Sequence, residues 1–316
     1  MSETFQLGRK AAQAYEAVFV PAFFAQWAPH LLGAAGVRGG DQVLDVACGT
    51  GVVARAAREV VGPSGRVLGV DLSQAMLDVA RQVRPDLAWQ RGDAAALPFD
   101  VNSVDVAVCQ MAMMFFPDPV VALREMGRVA RRAVAVLVPA ALAANPPFVR
   151  FSGAVADHAG VSARGLVTTY FALGDAQGLA ASFTRAGLRV TSTRTVTART
   201  TYPSVDAFVD TEIDGTPLGD GLPDGVRAAI RARCRSDLVP YVRADGALAF
   251  DFREPRGGRL AGLSTSPVPA RRPDGSPTVA RRSRRFTRAG QASIRLYSYA
   301  HACICRDRRC QWLRRR

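Results

Sequence analysis

The fold is decided by one stretch of sequence, VLDVACGTGVVA at residues 43–54. A short apolar run ends in glycines, and a segment with helical character, 53–60, follows directly. Glycines allow a backbone to approach a ligand closely, and the first N–H groups of a helix are free to bind it. The stretch therefore predicts a strand, a ligand-binding loop and a helix, in that order.

The alternation of strands and helices continues beyond this stretch. Strands are predicted at 67–70, 89–90, 104–109 and 134–138, and helices at 73–83 and 119–131. These strands are almost entirely apolar, as expected where helices cover both faces of a parallel sheet. Strands that alternate with helices of about ten residues predict right-handed βαβ units. We therefore expect an α/β fold that is Rossmann-like and doubly wound.

The rest of the body is less regular. Residues 11–35 have helical periodicity, and after Pro139 the alternation loosens into a region, about 140–245, that we expect to cap a substrate. Within this region helices are predicted at 148–159, 175–186, 204–213 and 223–241, and a strand at 188–197.

Two acidic residues near the glycine loop discriminate between ligands. The glycine pattern alone also matches the dinucleotide fingerprint, which is a weak signal. Asp71 lies 20 residues after Gly51, at the end of the next strand, where its carboxylate can accept both hydroxyls of a ribose. Asp45, at the mouth of the loop, would repel the pyrophosphate of NAD but attract the sulfonium and ammonium of S-adenosyl-L-methionine. The alternative is that Asp45 only caps the loop.

Four motifs in order resemble those of class I S-adenosylmethionine-dependent methyltransferases of the UbiE-like type (methyltransferase type 11). They are VLDVACGTG (43–51), VLGVDLSQAML (67–77), RGDAAALPFD (91–100) and VDVAVCQMAMMFFPDP (104–119). The resemblance covers roughly residues 10–252. It implies a mostly parallel, seven-stranded sheet whose last strand is antiparallel. It also implies methyl transfer from S-adenosylmethionine to an O, N or C nucleophile of a small molecule.

The resemblance also implies the cofactor contacts. They are Asp45, Ala47, Gly49 and Gly51 at the methionine part, Asp71 at the ribose, Leu72 and Met76 beside adenine, Asp93 and Ala94 at the adenine amine, Gln110 near the methyl group, and Tyr15 closing over the methionine end. Structural alternatives stay open: Met76 as a core residue, Asp93 as a turn initiator and Gln110 as an ordinary strand end. His158 and His30 are candidate general bases, but surface histidines are more common, so no catalytic residue is assigned.

The sequence departs from the family pattern in two places. No Pro-Gly-Gly turn separates the predicted helix from the strand at 128–133, which predicts a tight or distorted connection. The segment 246–252 begins the expected antiparallel strand, and the composition changes at residue 253. We therefore divide the chain into a methyltransferase domain, 1–252, and a tail, 253–316.

The net charge of +14 falls entirely in the tail. Residues 253–316 hold 17 Arg and three acidic residues, whereas residues 1–252 hold 24 basic and 24 acidic residues. The tail composition, rich in Arg, Pro, Gly and Ser, predicts disorder. One interpretation is a grip on nucleic acid, and another is a metal site at His301, Cys303, Cys305 and Cys310, whose spacing is atypical for zinc. We favour a third, a frameshifted C-terminus.

The composition also indicates the compartment and the partners of the protein. The longest apolar stretch, 133–144, is too short for a membrane span, and residues 1–10 contain no apolar leader. We expect a cytoplasmic protein with buried thiols, a small-molecule methyl acceptor and no nucleic-acid substrate. The alternatives are a non-catalytic S-adenosylmethionine-binding protein, one that binds nucleic acid through the tail, and a nicotinamide-dependent oxidoreductase. The sequence does not indicate an oligomeric state.

Overall fold

A mostly parallel sheet organises the structure, a computed structural model that describes residues 8–219 and 221–251 and the backbone of 293–298. Its strands are β1 (Gln42–Val46), β2 (Arg66–Asp71), β3 (Ala88–Arg91), β4 (Val104–Gln110), β5 (Ala130–Leu137), β6 (Val190–Thr195), β7 (Arg199–Tyr202), β8 (Leu248–Asp251) and β9 (Ser293–Ser298). The main sheet has the order β3-β2-β1-β4-β5-β9-β6. The five neighbouring strands β3, β2, β1, β4 and β5 are all parallel to one another, which confirms the predicted Rossmann-like α/β fold.

Helices pack around this sheet. They are α1 (Arg9–Ala14), α2 (Ala28–Ala35), α3 (Val52–Val61), α4 (Gln74–Val83), α5 (Pro119–Val129), α6 (Pro146–Thr169, kinked at Gly160), α7 (Ala176–Arg185), α8 (Val205–Asp214) and α9 (Asp224–Asp237). Side-chain caps explain where several of them begin. Ser73 accepts a hydrogen bond from the Met76 N–H at the start of α4, and Asp118 accepts from Val120 and Val121 at the start of α5.

The N-terminal helical segment is irregular. Between α1 and α2 the chain forms a π-helix, Tyr15–Phe24, that contains Pro21, and then a short 3₁₀ turn. The whole stretch, Arg9–Ala35, is 27 residues long and apolar enough to span a membrane, but half of its apolar 18-residue window is buried inside the protein. Trp27 and Leu31 are fully buried in the main core. A core helix explains this composition as well as a membrane helix would, so the stretch is weak evidence for a membrane.

The predicted tight connection after α5 is confirmed. Helix α5 ends at Val129 and β5 begins at Ala130 without a turn, and the pairing of β4 with β5 shifts register between Val104 and Val106. Arg132, at the start of β5, forms a salt bridge with Asp41, whose pKa the guanidinium holds below its usual range against the effect of burial. This ion pair ties the start of β5 to the residue that precedes β1, next to a junction that lacks the glycines of the family pattern.

The expected antiparallel strand at 246–252 is wrong as a member of the main sheet. Strand β8 pairs antiparallel with β7 in a separate two-stranded sheet. Phe250 on β8 packs against Phe148, Tyr202 and Phe208, and this aromatic cluster draws the strand away from the main sheet. The place beside β5 is taken by β9, which runs parallel to both β5 and β6.

Strand β9 also corrects the prediction that the whole tail lacks regular structure. The main sheet reaches seven strands only when β9 is counted, and the seventh strand implied by the resemblance was antiparallel. The remaining tail residues, including His301, Cys303, Cys305 and Cys310, lie outside the described residues. The three cysteines of the body, Cys48, Cys109 and Cys234, are buried free thiols, as predicted.

The pairing of β7 with β8 can be tested by crosslinking. Thr201 lies directly opposite Ala249 in the ladder, so their Cβ atoms are near enough for a disulfide after Thr201→Cys and Ala249→Cys. We expect the pair to crosslink under mild oxidation, detected by mass spectrometry of the linked peptides. The matched control, Thr201→Cys with Ala247→Cys, is out of register and should stay reduced. Crosslinking of the control alone would contradict the observed register.

Candidate functional site

A cavity of ≈300 Å³ opens at the carboxyl edge of the sheet. It lies where the strand order reverses, because β1 is flanked by β2 on one side and β4 on the other. Ligands of open α/β sheets bind at this topological switch point. The loops after β1, β2, β3 and β4 all contribute lining residues, and the N-terminal segment contributes Tyr15 and Phe24. The fold therefore places the predicted motifs around one space.

Ten of the eleven predicted cofactor residues line this cavity. They are Asp45, Ala47, Gly49, Asp71, Leu72, Met76, Asp93, Ala94, Gln110 and Tyr15. Gly51 is not among the lining residues. The two candidate bases, His30 and His158, are exposed on helices and do not line the cavity either.

Gly51 has a packing role that the sequence did not reveal. Its φ is +89°, and a Cβ built there would lie 2.2 Å from the indole ring of Trp89 on β3. The indole is held in place because its Nε1 donates to the Arg84 carbonyl at 2.9 Å. Glycine is therefore required at this position so that the loop can pass under the indole.

Alanine substitutions at Gly49 and Gly51 should show that only Gly51 is needed for packing against Trp89. Gly51→Ala should destabilise the protein by about 2–4 kcal/mol, because it combines an unfavourable φ with a clash against Trp89. Gly49→Ala should cost only about 1 kcal/mol, because a Cβ at Gly49 meets nothing within 4 Å and its φ of +54° lies in the left-handed region. Urea denaturation measures both. Equal losses would contradict the packing role of Gly51.

Asp71 connects two loops of the cavity. Its Oδ2 accepts the Gly49 N–H from the loop after β1, and its Oδ1 accepts the Ser73 N–H, each at 2.8 Å. Burial raises the pKa of Asp71, while these backbone hydrogen bonds act in the opposite direction. Each carboxylate oxygen can accept a further hydrogen bond, so the side chain can still receive hydroxyl groups of a ligand.

Asp45 is buried beneath the loop. Its Oδ2 accepts the Ala54 N–H at 2.9 Å, so the alternative role as a loop cap is real, and the side chain also lines the cavity. Burial raises the pKa of Asp45 to about 8, which makes the carboxyl largely neutral at pH 7. A cationic ligand beside it would favour the ionised form. Asp45 is therefore suited both to hold helix α3 and to receive a positive charge.

The buried Asp45 should make stability fall with rising pH. Its pKa is near 4 when the chain is unfolded and about 8 when it is folded, so the unfolded chain binds fewer protons between these values. Stability contributed by the protonated form is therefore present below about pH 4 and is lost as the pH rises towards 8. Asp45→Asn should show a shallower fall over this window in urea titrations, because Asn does not ionise, and its side-chain oxygen can still accept the Ala54 N–H. Parallel curves would contradict the raised pKa.

Gln110 presents an unpaired polar atom. Its Nε2 donates to the Phe24 carbonyl at 3.0 Å, whereas its Oε1 is buried with no hydrogen-bond partner. A buried acceptor without a partner is costly, and a donor supplied by a ligand would remove that cost. Gln110 is therefore more than an ordinary strand end, and its position fits a ligand that carries N–H or O–H donors.

The side of the cavity formed by β2 and β3 has mixed roles. Met76 is buried and packs with Ala12 and Val79, so it belongs to a small core cluster as well as to the lining. Asp93 accepts the Ala95 N–H at 2.8 Å, which is the turn-initiating role left open above, but it also lines the cavity. Both structural alternatives are therefore compatible with ligand contact.

The N-terminal segment also covers the cavity, through Tyr15 and Phe24. The Tyr15 ring packs against Phe24 at a centroid distance of 5.1 Å, and burial and the nearby Asp71 raise the pKa of the Tyr15 hydroxyl. Glu16 forms a salt bridge of 2.8 Å with Arg55 on α3. This ion pair attaches the segment to the helix that follows the glycine loop.

Several lining residues were missed by the sequence analysis. Phe115, Phe116 and Asp118 follow β4, and Tyr170 follows α6. The Tyr170 ring meets Phe115 edge to face at 5.1 Å. Phe115, Phe116 and Asp118 belong to the fourth motif and could have been found there, whereas Tyr170 lies in the capping region, where no motif marks it.

Within the residues that the structure describes, the carboxyl groups that line the cavity have no basic side chain among them. Its acidic side chains are Asp45, Asp71, Asp93 and Asp118, and among the described residues no Arg, Lys or His lines it. Such a cavity disfavours a phosphate-bearing ligand and favours a cationic one. In the same part of the chain, no group of three or more His, Cys, Asp or Glu could hold a metal ion.

Comparison with known proteins identifies the central segment. Residues 43–133 match a family model described as a methyltransferase domain. Demethylmenaquinone methyltransferase of Staphylococcus aureus is 40% identical over 106 residues, which is 33% of this chain and 44% of that protein. The chain thus spans less than half the length of the curated relatives it matches.

Solved structures of similar proteins include two bacterial examples. The YcgJ protein of Bacillus subtilis is 18% identical, with 72% of this chain and 94% of that chain covered and a TM-score of 0.47. An S-adenosylmethionine-dependent methyltransferase of Mesorhizobium loti is 32% identical, with 35% of this chain and 50% of that chain covered and a TM-score of 0.31.

Proposed function

We propose that the protein transfers the methyl group of S-adenosylmethionine to an O, N or C nucleophile of a small molecule, because residues 43–133 match a methyltransferase-domain family and a demethylmenaquinone methyltransferase is 40% identical over 106 residues. The one observation that carries this proposal is the charge of the cavity. Four carboxyl groups and no cationic side chain of the described chain line it, at the point of the sheet where nucleotide ligands bind. A nicotinamide cofactor would bring a pyrophosphate to these acids, so the oxidoreductase alternative is disfavoured.

S-adenosylmethionine is the cofactor of this class, and the lining residues suit its parts. Asp45 and the unpaired Oε1 of Gln110 would hold the cationic end, and Asp71 would accept the ribose hydroxyls. Leu72 and Met76 would pack on the adenine. Asp93 would accept its amine, and Ala94 would offer a backbone N–H beside it. When bound, the cofactor supplies a methyl group that its sulfonium already makes electrophilic.

The protein then has two tasks, to orient the acceptor and to exclude water. Tyr15 and Phe24 cover the cavity from the N-terminal segment, and Phe115 and Tyr170 border it from the capping side. These rings would bring the acceptor against the methyl group in a dry environment. The exposed His30 and His158 take no part in this arrangement.

The proposed methyl acceptor is defined as a class, a small molecule. The Staphylococcus aureus relatives are named for demethylmenaquinone, which supports a small-molecule acceptor for this chain. We place the protein in the cytoplasm on the composition given above. The non-catalytic alternative shares the cofactor site and differs only in whether an acceptor reacts.

Calorimetric titration of the full chain tests the cofactor assignment. S-adenosylmethionine should bind the wild-type protein, and Asp71→Ala should weaken binding by tenfold or more, because charge-assisted hydrogen bonds to the ribose are lost. The matched control is Asp78→Ala on α4, whose carboxylate pairs with the exposed Arg81 outside the cavity. Its affinity should match that of the wild type. If NAD bound the protein and S-adenosylmethionine did not, the proposal would be contradicted.

A further inference from the structure

Arg55 connects three parts of the candidate site. Its Nη2 donates to Glu16 Oε1 in the N-terminal segment at 2.8 Å, and its Nη1 donates to the Thr50 carbonyl in the glycine loop at 2.7 Å. Arg55 lies on α3, which follows that loop, and it is not among the residues that line the cavity. The guanidinium therefore ties the glycine loop to the segment that covers the cavity.

The N-terminal segment is anchored differently in its two halves. The first half, residues 9–16, is called the N-terminal flap below. Its buried residue Ala12 packs with Met76 and Val79 of α4 in a small cluster apart from the main core, and Tyr15 touches both clusters. The second half is held in the main core by four buried aromatic side chains: Phe19, Phe23, Phe24 and Trp27.

The polar contacts show the same difference between the halves. Gln110 donates to the Phe24 carbonyl, and Gln26 donates to the Thr200 hydroxyl, so both contacts hold the second half. In the described part of the chain, the Glu16–Arg55 pair is the single salt bridge that residues 9–35 form. The flap is therefore held by one small apolar cluster and one ion pair.

The ion pair can open at a modest cost in free energy. Each of its side chains is 19% exposed, and the second carboxylate oxygen of Glu16, Oε2, is buried without a hydrogen-bond partner among the described residues. A buried ion pair loses hydration on both partners, which offsets much of their attraction. If the flap moved outward, water would reach both carboxylate oxygens and compensate for the lost contact.

We infer that Arg55 is a positioning residue that latches the flap over the cavity, and that opening of the Glu16–Arg55 pair admits and releases S-adenosylmethionine. This inference rests on the proposed function. Tyr15, the neighbour of Glu16, lines the cavity, and so does Met76, on which Ala12 packs. Outward movement of the flap would therefore uncover the cavity at two places.

The backbone provides a hinge for this movement. Helix α1 ends at Ala14, and π-helical hydrogen bonding begins at Tyr15, between the flap and the half that is fixed in the main core. Such π-helical turns are frequent at functional sites. Because Arg55 also holds the Thr50 carbonyl, closure of the flap and the shape of the glycine loop depend on the same guanidinium.

The rates of binding and release of radiolabelled S-adenosylmethionine by the full chain test this inference. Glu16→Gln keeps a neutral hydrogen bond to Arg55 but loses the attraction between charges, so both rates should rise about 3- to 10-fold. The Kd should change by less than about twofold, because a latch controls entry and exit alike and both rates contribute to Kd. A purely structural role would instead change affinity or stability without raising both rates.

Salt tests the latch without any substitution, so the test does not depend on how well a variant folds. Raising the ionic strength from about 0.05 M to about 0.5 M should speed both rates in the wild type, because the ion pair is partly exposed and is screened. Glu16→Gln should show little of this acceleration. Wild-type rates that do not respond to salt would overturn the inference.

Two further variants separate the contacts of Arg55. Arg55→Met loses both contacts, so it should raise the rates and also weaken affinity, because the Thr50 carbonyl is released. The matched control is Asp210→Asn on α8, whose carboxylate pairs with Arg231 at 2.6 Å away from the cavity, and its rates should equal those of the wild type.

The outcomes distinguish this inference from the proposed function. Unchanged rates in Glu16→Gln, or faster release with an equal loss of affinity, would overturn the latch while S-adenosylmethionine still binds. An equal acceleration in Asp210→Asn would also overturn it, because the effect would then be a general one. Failure of the wild-type protein to bind S-adenosylmethionine would overturn the proposed function, and this inference with it.

Discussion

The hydrogen bonds of the Asp71 carboxylate are the interaction on which the candidate site depends. One oxygen accepts the Gly49 N–H after β1, and the other accepts the Ser73 N–H before α4. A buried N–H without a partner costs about 1–3 kcal/mol, so this carboxylate fixes the shapes of two loops from adjacent strands. The same side chain faces the cavity. The fold of the site and its capacity to bind hydroxyl groups are therefore coupled through one residue, and a chain that lost this carboxyl would lose both.

Local patterns predicted the central part of the fold because the physics there is local. The apolar run of β1, the glycines and the Ser73 cap specify strand, loop and helix within a few residues of each other. The missing turn at Val129–Ala130 was visible for the same reason. The role of Gly51 was not, because it depends on Trp89, which is distant in sequence and meets the loop only after β3 has paired with β2. The π-helical part of the N-terminal segment also escaped, because helical periodicity does not distinguish π from α hydrogen bonding.

The pairing of β8 shows what a strand pattern leaves undetermined. Alternating apolar residues specify which face of a strand is buried, but they do not specify which strand it joins. Here the partner is set by the aromatic cluster around Phe250, whose members come from α6, β7 and α8. The same limit applies to Tyr170. It lies in the capping region, where no motif holds residues at fixed spacing, and it approaches the cofactor side only through the packing of α6.

The acids of the larger cavity cannot by themselves account for a catalytic rate. Asp45 would interact with a positive charge that is already present in the bound cofactor and that is being lost in the transition state, so its attraction favours the ground state at least as much. Under the proposed function it would contribute to binding and to selection against phosphates, not to a lower barrier. In the proposed reaction the barrier would instead be lowered by alignment and by exclusion of water, to which the rings from the N-terminal segment and Tyr170 would contribute. This division would place affinity on the sheet side of the cavity and the alignment of the acceptor on the capping side.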